Sequence, residues 1–152
     1  MIADAPGGAA PGPGTATGVT LRAARPGDLS AVLALWRRSA EPSRTDDVES
    51  LRRLLARDED ALIVAEADGA VVGSVIAAWD GWRGSVYRLA VAPSHRRRGL
   101  ARRLLATAES HLVRRGAARF QAVVIGTETA ATGFWRDTDW EEQVERIRFT
   151  KG

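Results

Sequence analysis

The order of elements along the chain predicts an α/β fold: a mixed, twisted sheet, partly antiparallel and partly parallel, flanked by helices. Three observations carry this. Two apolar runs, residues 61–67 and 70–79, are separated only by Asp68-Gly69, a two-residue hairpin signal that makes neighbouring strands antiparallel. A β-rich run over residues 85–91 is followed by a long helical run and then by another β-rich run, residues 120–125. A strand–helix–strand crossover of this kind is right-handed and leaves its two strands parallel.

The elements follow in order. Residues 1–18 are almost all Gly, Ala, Pro and Thr, with little to bury, and read as a flexible tail. Residues 19–152 read as a single domain, a size that can bury a real core. Alternating apolar positions over residues 19–24 predict the first strand. After Pro26, Asp28 is placed to cap a helix carrying Leu29, Val32, Leu33, Leu35 and Trp36. Pro42 interrupts, and Thr45 or Asp46 can cap a second helix with Val48, Leu51, Leu54 and Leu55 on one face. The hairpin comes next, and the loop Asp80-Gly81-Trp82-Arg83-Gly84 leads into the run from Ser85. The helix predicted over residues 98–115 aligns Leu100, Leu104, Leu105, Ala108 and Leu112 in one stripe, and Gly116 ends it. A strand over 120–125, a short helix over 130–136 and a last strand over 143–150 complete the chain. No internal repeat is visible.

The most informative stretch joins the strand ending at Val91 to the helix. Arg96, Arg97, Arg98, Arg102 and Arg103 crowd the helix start. A helix N-terminus already carries about half a positive charge from its unpaired amides, so cations are misplaced there. An anion seated on those amides resolves the conflict, and phosphate suits the site. Gly99 lacks a β-carbon and lets ligand oxygens approach the backbone. An arginine-rich stretch can also be an ordinary solvated helix face. The strand–Pro–loop–Gly–helix setting is what favours the phosphate.

Arg96-x-x-Gly99-x-Ala101, preceded by Val91-x-Pro93, resembles the acyl-coenzyme A signature of the GNAT N-acetyltransferase superfamily: Arg or Gln, two residues, Gly, one residue, then Gly or Ala. The order of elements resembles that superfamily from about residue 19 to residue 150. The resemblance implies the acyl-CoA N-acyltransferase fold for residues 19–152. It also implies acetyl-CoA as acyl donor, a primary amine as acceptor, and no metal or redox cofactor. Carried over by position, the pyrophosphate would meet Arg96, Arg97, Arg98, Gly99, Leu100 and Ala101, with Arg102 adjacent. The pantetheine arm would pair like an added strand with the backbone of Leu89 and Val91. An N–H of either residue could then serve as oxyanion donor.

The chain departs from its relatives at the proton-transfer positions. Many relatives carry Asn-x-x-Ala-x-x-Phe-Tyr-x-x-x-Gly-Phe after this site, with the Tyr as acid. The matching positions here are Glu128, Ala131, Phe134, Trp135, Asp139 and Trp140. Trp135 replaces the Tyr, and an indole supplies no acidic proton near neutral pH. It could pack against the ligand's arm, or simply be a core aromatic. Asp139 stands where Gly is usual, and Asp tolerates the left-handed conformation better than most residues. Some relatives place a Glu where Ser85 stands, and Ser alone is no base. Tyr87 shares a strand face with Ser85, Leu89 and Val91 by period two, so it could shuttle a proton. Asp80 could act through water, as could Glu128 or bulk water alone. The catalytic candidates are therefore Tyr87, Ser85, Asp80 and Glu128, with none singled out. Trp36, Trp79 and Trp82 could line the acceptor site, where an aromatic face can hold an ammonium group. Trp36 and Trp79 read more simply as buried apolar groups, and Trp82, in a polar loop, is the better placed. His95 reads as a loop residue and His111 as a helix-surface residue.

Composition narrows the remaining classes. The absence of cysteine excludes disulfides and thiolate catalysis, and the two separated histidines offer no metal site. The net charge of +3 is modest, and the remaining arginines are scattered among acids. That is not the basic stripe nucleic-acid binding needs. No apolar run approaches the roughly 20 residues that span a bilayer. No basic-then-apolar leader stands at the start, so the expected location is cytoplasmic. A homodimer stays open. A reading of a different class is a non-catalytic acyl-CoA-binding or sensor module, motivated by Trp135 and the missing Glu.

Overall fold

The computed structural model describes residues 18–152; apart from Gly18, the stretch expected as a flexible tail lies outside the described residues. The chain divides into two units, one reaching to Gln121 and the other Ala122–Gly152.

The first unit contains β1 (Thr20–Ala23), a 3-10 turn (Pro26–Asp28), α1 (Leu29–Ser39), α2 (Val48–Arg57), β2 (Leu62–Ala67), β3 (Ala70–Trp79), β4 (Gly84–Val91), a second 3-10 turn (Pro93–His95) and α3 (Leu100–Arg115). β5 (Phe120–Ala122) completes a five-stranded sheet in the order β1-β2-β3-β4-β5. The first four strands are mutually antiparallel. The β2–β3 hairpin turns through Asp68 (φ 50°) and Gly69 (φ 77°), the two positive φ values that a tight hairpin turn requires. After the α3 crossover the Gly84 N–H donates to the Arg119 carbonyl at 3.0 Å, and Gln121 Nε2 reaches Ser85 Oγ at 3.2 Å. Both strands therefore ascend together, and β4–β5 is the one parallel pair.

Helices cover both faces of the sheet. Leu100, Leu104, Leu105, Ala108 and Leu112 of α3 are buried against one face. The helix approaches closely because glycines lie beneath it. A β-carbon at Gly73 would sit 2.9 Å from Leu104 Cδ1, and one at Gly84 would sit 2.8 Å from Leu112 Cδ1. Ser74, next to Gly73 and so pointing to the opposite face, meets Trp36 of α1. Leu29, Val32, Leu33, Leu35 and Trp36 bury that face.

Several local expectations are corrected. His111 is not on the helix surface: it is 5% exposed and continues the buried α3 stripe three residues after Ala108. Asp28 does not cap α1 with its side chain. It accepts instead from the Arg25 N–H at 2.7 Å and from the Arg22 guanidinium at 2.7 and 3.0 Å. The cap of α2 is Asp47, which accepts from the Ser50 N–H at 2.7 Å, rather than Thr45 or Asp46.

In the second unit, α4 (Thr129–Arg136) precedes an extended tail. The last strand expected over residues 143–150 does not form; one turn is present, with the Arg146 N–H donating to the Gln143 carbonyl at 3.1 Å. Val144, Ile147 and Phe149 are exposed. Ile147 and Phe149 alternate with Arg146 and Arg148 as a strand requires, but alternation is only half of the condition: a strand also needs a neighbour to pair with. β5 also stops three residues short of the expected Ile125. Among the described residues no helix is long and apolar enough to cross a membrane.

Candidate functional site

β4 is broken at its centre. Ser74 of β3 pairs with Ala90 and Ile76 pairs with Tyr87, so Val75 faces two residues, Arg88 and Leu89. Arg88 absorbs the extra residue in a left-handed conformation, φ 53°. Its carbonyl turns to Ser74 Oγ, which donates to it at 3.0 Å and accepts from Trp36 Nε1 at 2.8 Å. The bulge resets the alternation of side chains. Ser85 and Tyr87 lie on the Ser74 face, whereas Val91 pairs with Gly73 and lies on the α3 face. Tyr87 and Val91 therefore do not share a face, contrary to the period-two expectation, because one inserted residue flips every later one.

The stretch after β4 opens its backbone. Arg97 (φ 60°) and Gly99 (φ 76°) are both left-handed. Gly99 is the N-cap of α3 and has no side chain to fill that role. The first helical bond runs from the Arg103 N–H to the Gly99 carbonyl at 3.1 Å, so the amides of Leu100 and Ala101 have no partner within the helix. A β-carbon on Gly99 would meet nothing within 4 Å: the space above it is open. Arg97 and Arg98 are exposed, as is Arg102 in the first helical turn, while Ala101 is half-buried and Leu100 fully buried. Arg96 turns back, donating from Nε to the Val91 carbonyl at 3.1 Å, and so ties the loop to the strand end. Arg103 reaches the Val19 carbonyl at 3.2 Å. This geometry can hold a phosphate group by backbone amides with arginines around it.

The catalytic candidates differ in freedom. Tyr87 is 45% exposed beside the bulge. Ser85 is buried and accepts from Gln121. The Asp80 carboxylate accepts from the Arg83 N–H at 2.7 Å and the Trp82 N–H at 2.8 Å, and these two bonds hold its carboxyl below the usual carboxylate range. It organises the β3–β4 loop and is a poor base. On that loop Trp82 is 71% exposed, with the Arg83 guanidinium 4.1 Å over its ring. Trp79 is half-buried, and Trp36 is buried and committed to Ser74. Glu128 and Trp135 belong to the second unit. There Trp135 packs edge-on against Phe134 (5.8 Å) and Trp140 (4.9 Å), and Glu128 is the N-cap of α4.

Sequence reasoning missed a second polar cluster. Asp58, the residue closing α2, accepts from His111 Nε2 at 3.0 Å and from Arg115 at 2.6 Å, joining α2 to α3. Burial pushes the Asp58 carboxyl up, but the His111 bond and the charges of His111 and Arg115 outweigh it and hold it below the usual range. The position of His111 on the buried stripe was the available signal. A cleft of about 660 Å³ between the end of β1 and α2, lined by Arg22, Arg25, Arg52, Glu59 and Asp60 among others, contains none of the expected site residues. Among the described residues no group of three or more His, Asp or Glu side chains could hold a metal ion.

Comparison with known proteins agrees with this architecture. The model of the acetyltransferase (GNAT) family matches residues 29–139. An acetyltransferase of Pectobacterium atrosepticum is 36% identical over 122 residues, which is 80% of this chain and 86% of that protein. One of Sodalis glossinidius is 35% identical over 81% of this chain and 87% of its own length. Among solved structures, an aminoglycoside 6'-N-acetyltransferase of Acinetobacter haemolyticus superposes with a TM-score of 0.71 at 20% identity, covering 88% of this chain and 98% of that one. A second aminoglycoside N-acetyltransferase, in complex with CoA, gives 0.68 at 21% identity over 88% and 94%. The chain belongs to the GNAT acetyltransferase family.

Proposed function

We propose that the chain moves an acetyl group from acetyl-CoA to a primary amine by direct attack. The observation that carries this reading is the open backbone at the start of α3, Gly99 to Ala101, set at the end of a broken strand. The pyrophosphate would lie on the Leu100 and Ala101 amides with Arg97, Arg98 and Arg102 around it, while Arg96 fastens the loop. The pantetheine arm would run along Leu89 and Val91. The amine nitrogen attacks the thioester carbon, the C–S bond breaks, the departing thiolate takes a proton, and the amine loses one. A backbone N–H beside the bulge would stabilise the oxyanion. Tyr87 is the best placed of the candidates to pass a proton, being exposed at the bulge while Ser85 and Asp80 are committed elsewhere.

Calorimetric titration with acetyl-CoA and CoA tests the donor site. The wild-type chain should bind both, and Gly99→Glu should weaken acetyl-CoA at least about a hundredfold, since it forces a side chain into a left-handed position and puts a carboxylate where the anion sits. If neither ligand binds at millimolar concentration, the reading fails. Thiol release over a panel of amines, peptides and aminoglycosides then tests transfer. Binding with no release above hydrolysis would leave the acyl-CoA-binding module as the better description.

A further inference from the structure

The loop between α1 and α2, residues 40–47, is held down by the side chain of Arg88 from the broken strand. Arg88 donates from Nη1 to the Glu41 carbonyl at 2.7 Å and from Nη2 to the Asp46 carboxylate at 2.5 Å. The paired side chains are only 16% and 17% exposed, and the guanidinium lies 5.2 Å from the centroid of Trp36. Asp46 also accepts from the Ser43 N–H at 2.9 Å, so its carboxylate gathers the loop as well as anchoring it.

The backbone of Arg88 is fixed independently. A left-handed residue with a β-carbon costs roughly 1–2 kcal/mol, a cost glycine avoids. The bulge itself needs only the φ value and the bond from Ser74 to the Arg88 carbonyl. Glycine would meet both needs with less strain. The arginine side chain therefore answers a different requirement, and the structure shows where it goes: across to the α1–α2 loop. Strain kept in place by several independent contacts is characteristic of functional sites.

We propose that Arg88 is a positioning residue that couples the break in β4 to the α1–α2 loop, so that an acyl donor lying along β4 and the loop beside it are held in register. The inference rests on the transfer reading above for what lies along β4. The coupling follows from covalent geometry. Moving Arg88 out of its left-handed conformation swings the guanidinium away from Asp46 and Glu41, and fixing that conformation holds the loop. A ligand that stabilises the bulge therefore also stabilises the loop.

Hydrogen exchange on the full chain, with and without acetyl-CoA, tests this in the wild type, Asp46→Asn, Arg88→Gly and Arg88→Lys. Arg88→Gly accepts the backbone conformation while removing the side chain, and Asp46→Asn tests the same contact without altering the backbone of residue 88. Amides 41–46 should exchange at least about tenfold faster in Asp46→Asn and Arg88→Gly, and Arg88→Lys should restore part of the protection. Acetyl-CoA should slow exchange of these amides in the wild type and fail to do so in Asp46→Asn, whose acetyl-CoA affinity should stay within about twofold of wild type. Unchanged loop exchange in Arg88→Gly and Asp46→Asn would overturn the proposal. So would equal protection of the loop by acetyl-CoA in wild type and Asp46→Asn. Failure of the wild type to bind acetyl-CoA would instead sink the transfer reading, and the ligand-free exchange rates would still decide whether Arg88 holds the loop.

Discussion

Two of the loops that meet β4 are held in opposite ways. The α1–α2 loop is tied by side chains: Arg88 binds Asp46 and Glu41, Asp46 gathers Ser43, and Asp47 caps the helix that follows. The loop from Val91 to Leu100 is fastened to the strand end by the bond from Arg96 to the Val91 carbonyl, and ends on a glycine cap that leaves helical amides open. A tied loop is shaped before any ligand arrives. An open one has donors that only a ligand completes, and its position depends on the helix it begins. The contrast separates a surface that is preorganised from one that is built to be filled.

The largest effect should come from loosening that helix. Leu104 is fully buried over Gly73 and seats the N-terminal half of α3 on the sheet. Leu104→Ala should cost about 3 kcal/mol of stability, measured by denaturant unfolding, and should also weaken acetyl-CoA binding, because the open loop borrows its position from α3. Stability lost with acetyl-CoA affinity intact would show that the open loop supports itself, and the contrast between the two loops would fail.

The next effect separates α3 from its other tether. Asp58 is 12% exposed in its side chain and bonds His111 and Arg115. Its folded-state pKa lies below the ordinary 3.8, so its contribution is present above that value and is lost as pH falls through the lower folded value. Asp58→Asn should cost roughly 2 kcal/mol near neutral pH and flatten the acid limb of the stability curve below pH 3.8. The measurement is unfolding free energy against pH for both proteins. An acid limb of unchanged slope would remove Asp58 from the account. Acetyl-CoA affinity should change little, because this tether lies at the far end of α3.

What could be read in advance follows from how local each determinant is. The hairpin at Asp68-Gly69, the Gly116 end of α3 and its leucine stripe are set by residues adjacent in sequence or one helical turn apart, and the structure has them where expected; the helix itself begins at Leu100, two residues later than expected, with Gly99 as its cap. The stretch proposed as the donor site stood out in the sequence for the same reason, since Arg96 to Ala101 sit on one strand–loop–helix connection. Arg88 was not. An arginine carries no preference for a positive φ, and the partners that fix it, Ser74 and Asp46, are 14 and 42 residues away. Missing the bulge misassigned the face of Val91. The helix-surface expectation for His111 fails because the buried stripe it continues decides its burial. The last strand was over-read from alternation alone, and Val144, Ile147 and Phe149 remain exposed.

The smallest effect tests the tied loop at its own end. Asp47 accepts from the Ser50 N–H at 2.7 Å and from Ser50 Oγ at 2.9 Å, and the backbone bond from Ser50 is what chiefly holds its carboxyl below the usual range. Asp47→Ala removes an N-cap and should give a small but measurable loss of stability by thermal or denaturant unfolding. Asp47→Ser, which keeps an acceptor, should recover most of that loss. Acetyl-CoA affinity should be the same in all three proteins, since the cap belongs to α2 and the donor loop to α3. If Asp47→Ala weakened acetyl-CoA by more than a few-fold, the two loops would have to share support through the sheet. Arg88 joins the α1–α2 loop to β4, and it would be the first place to look for that link.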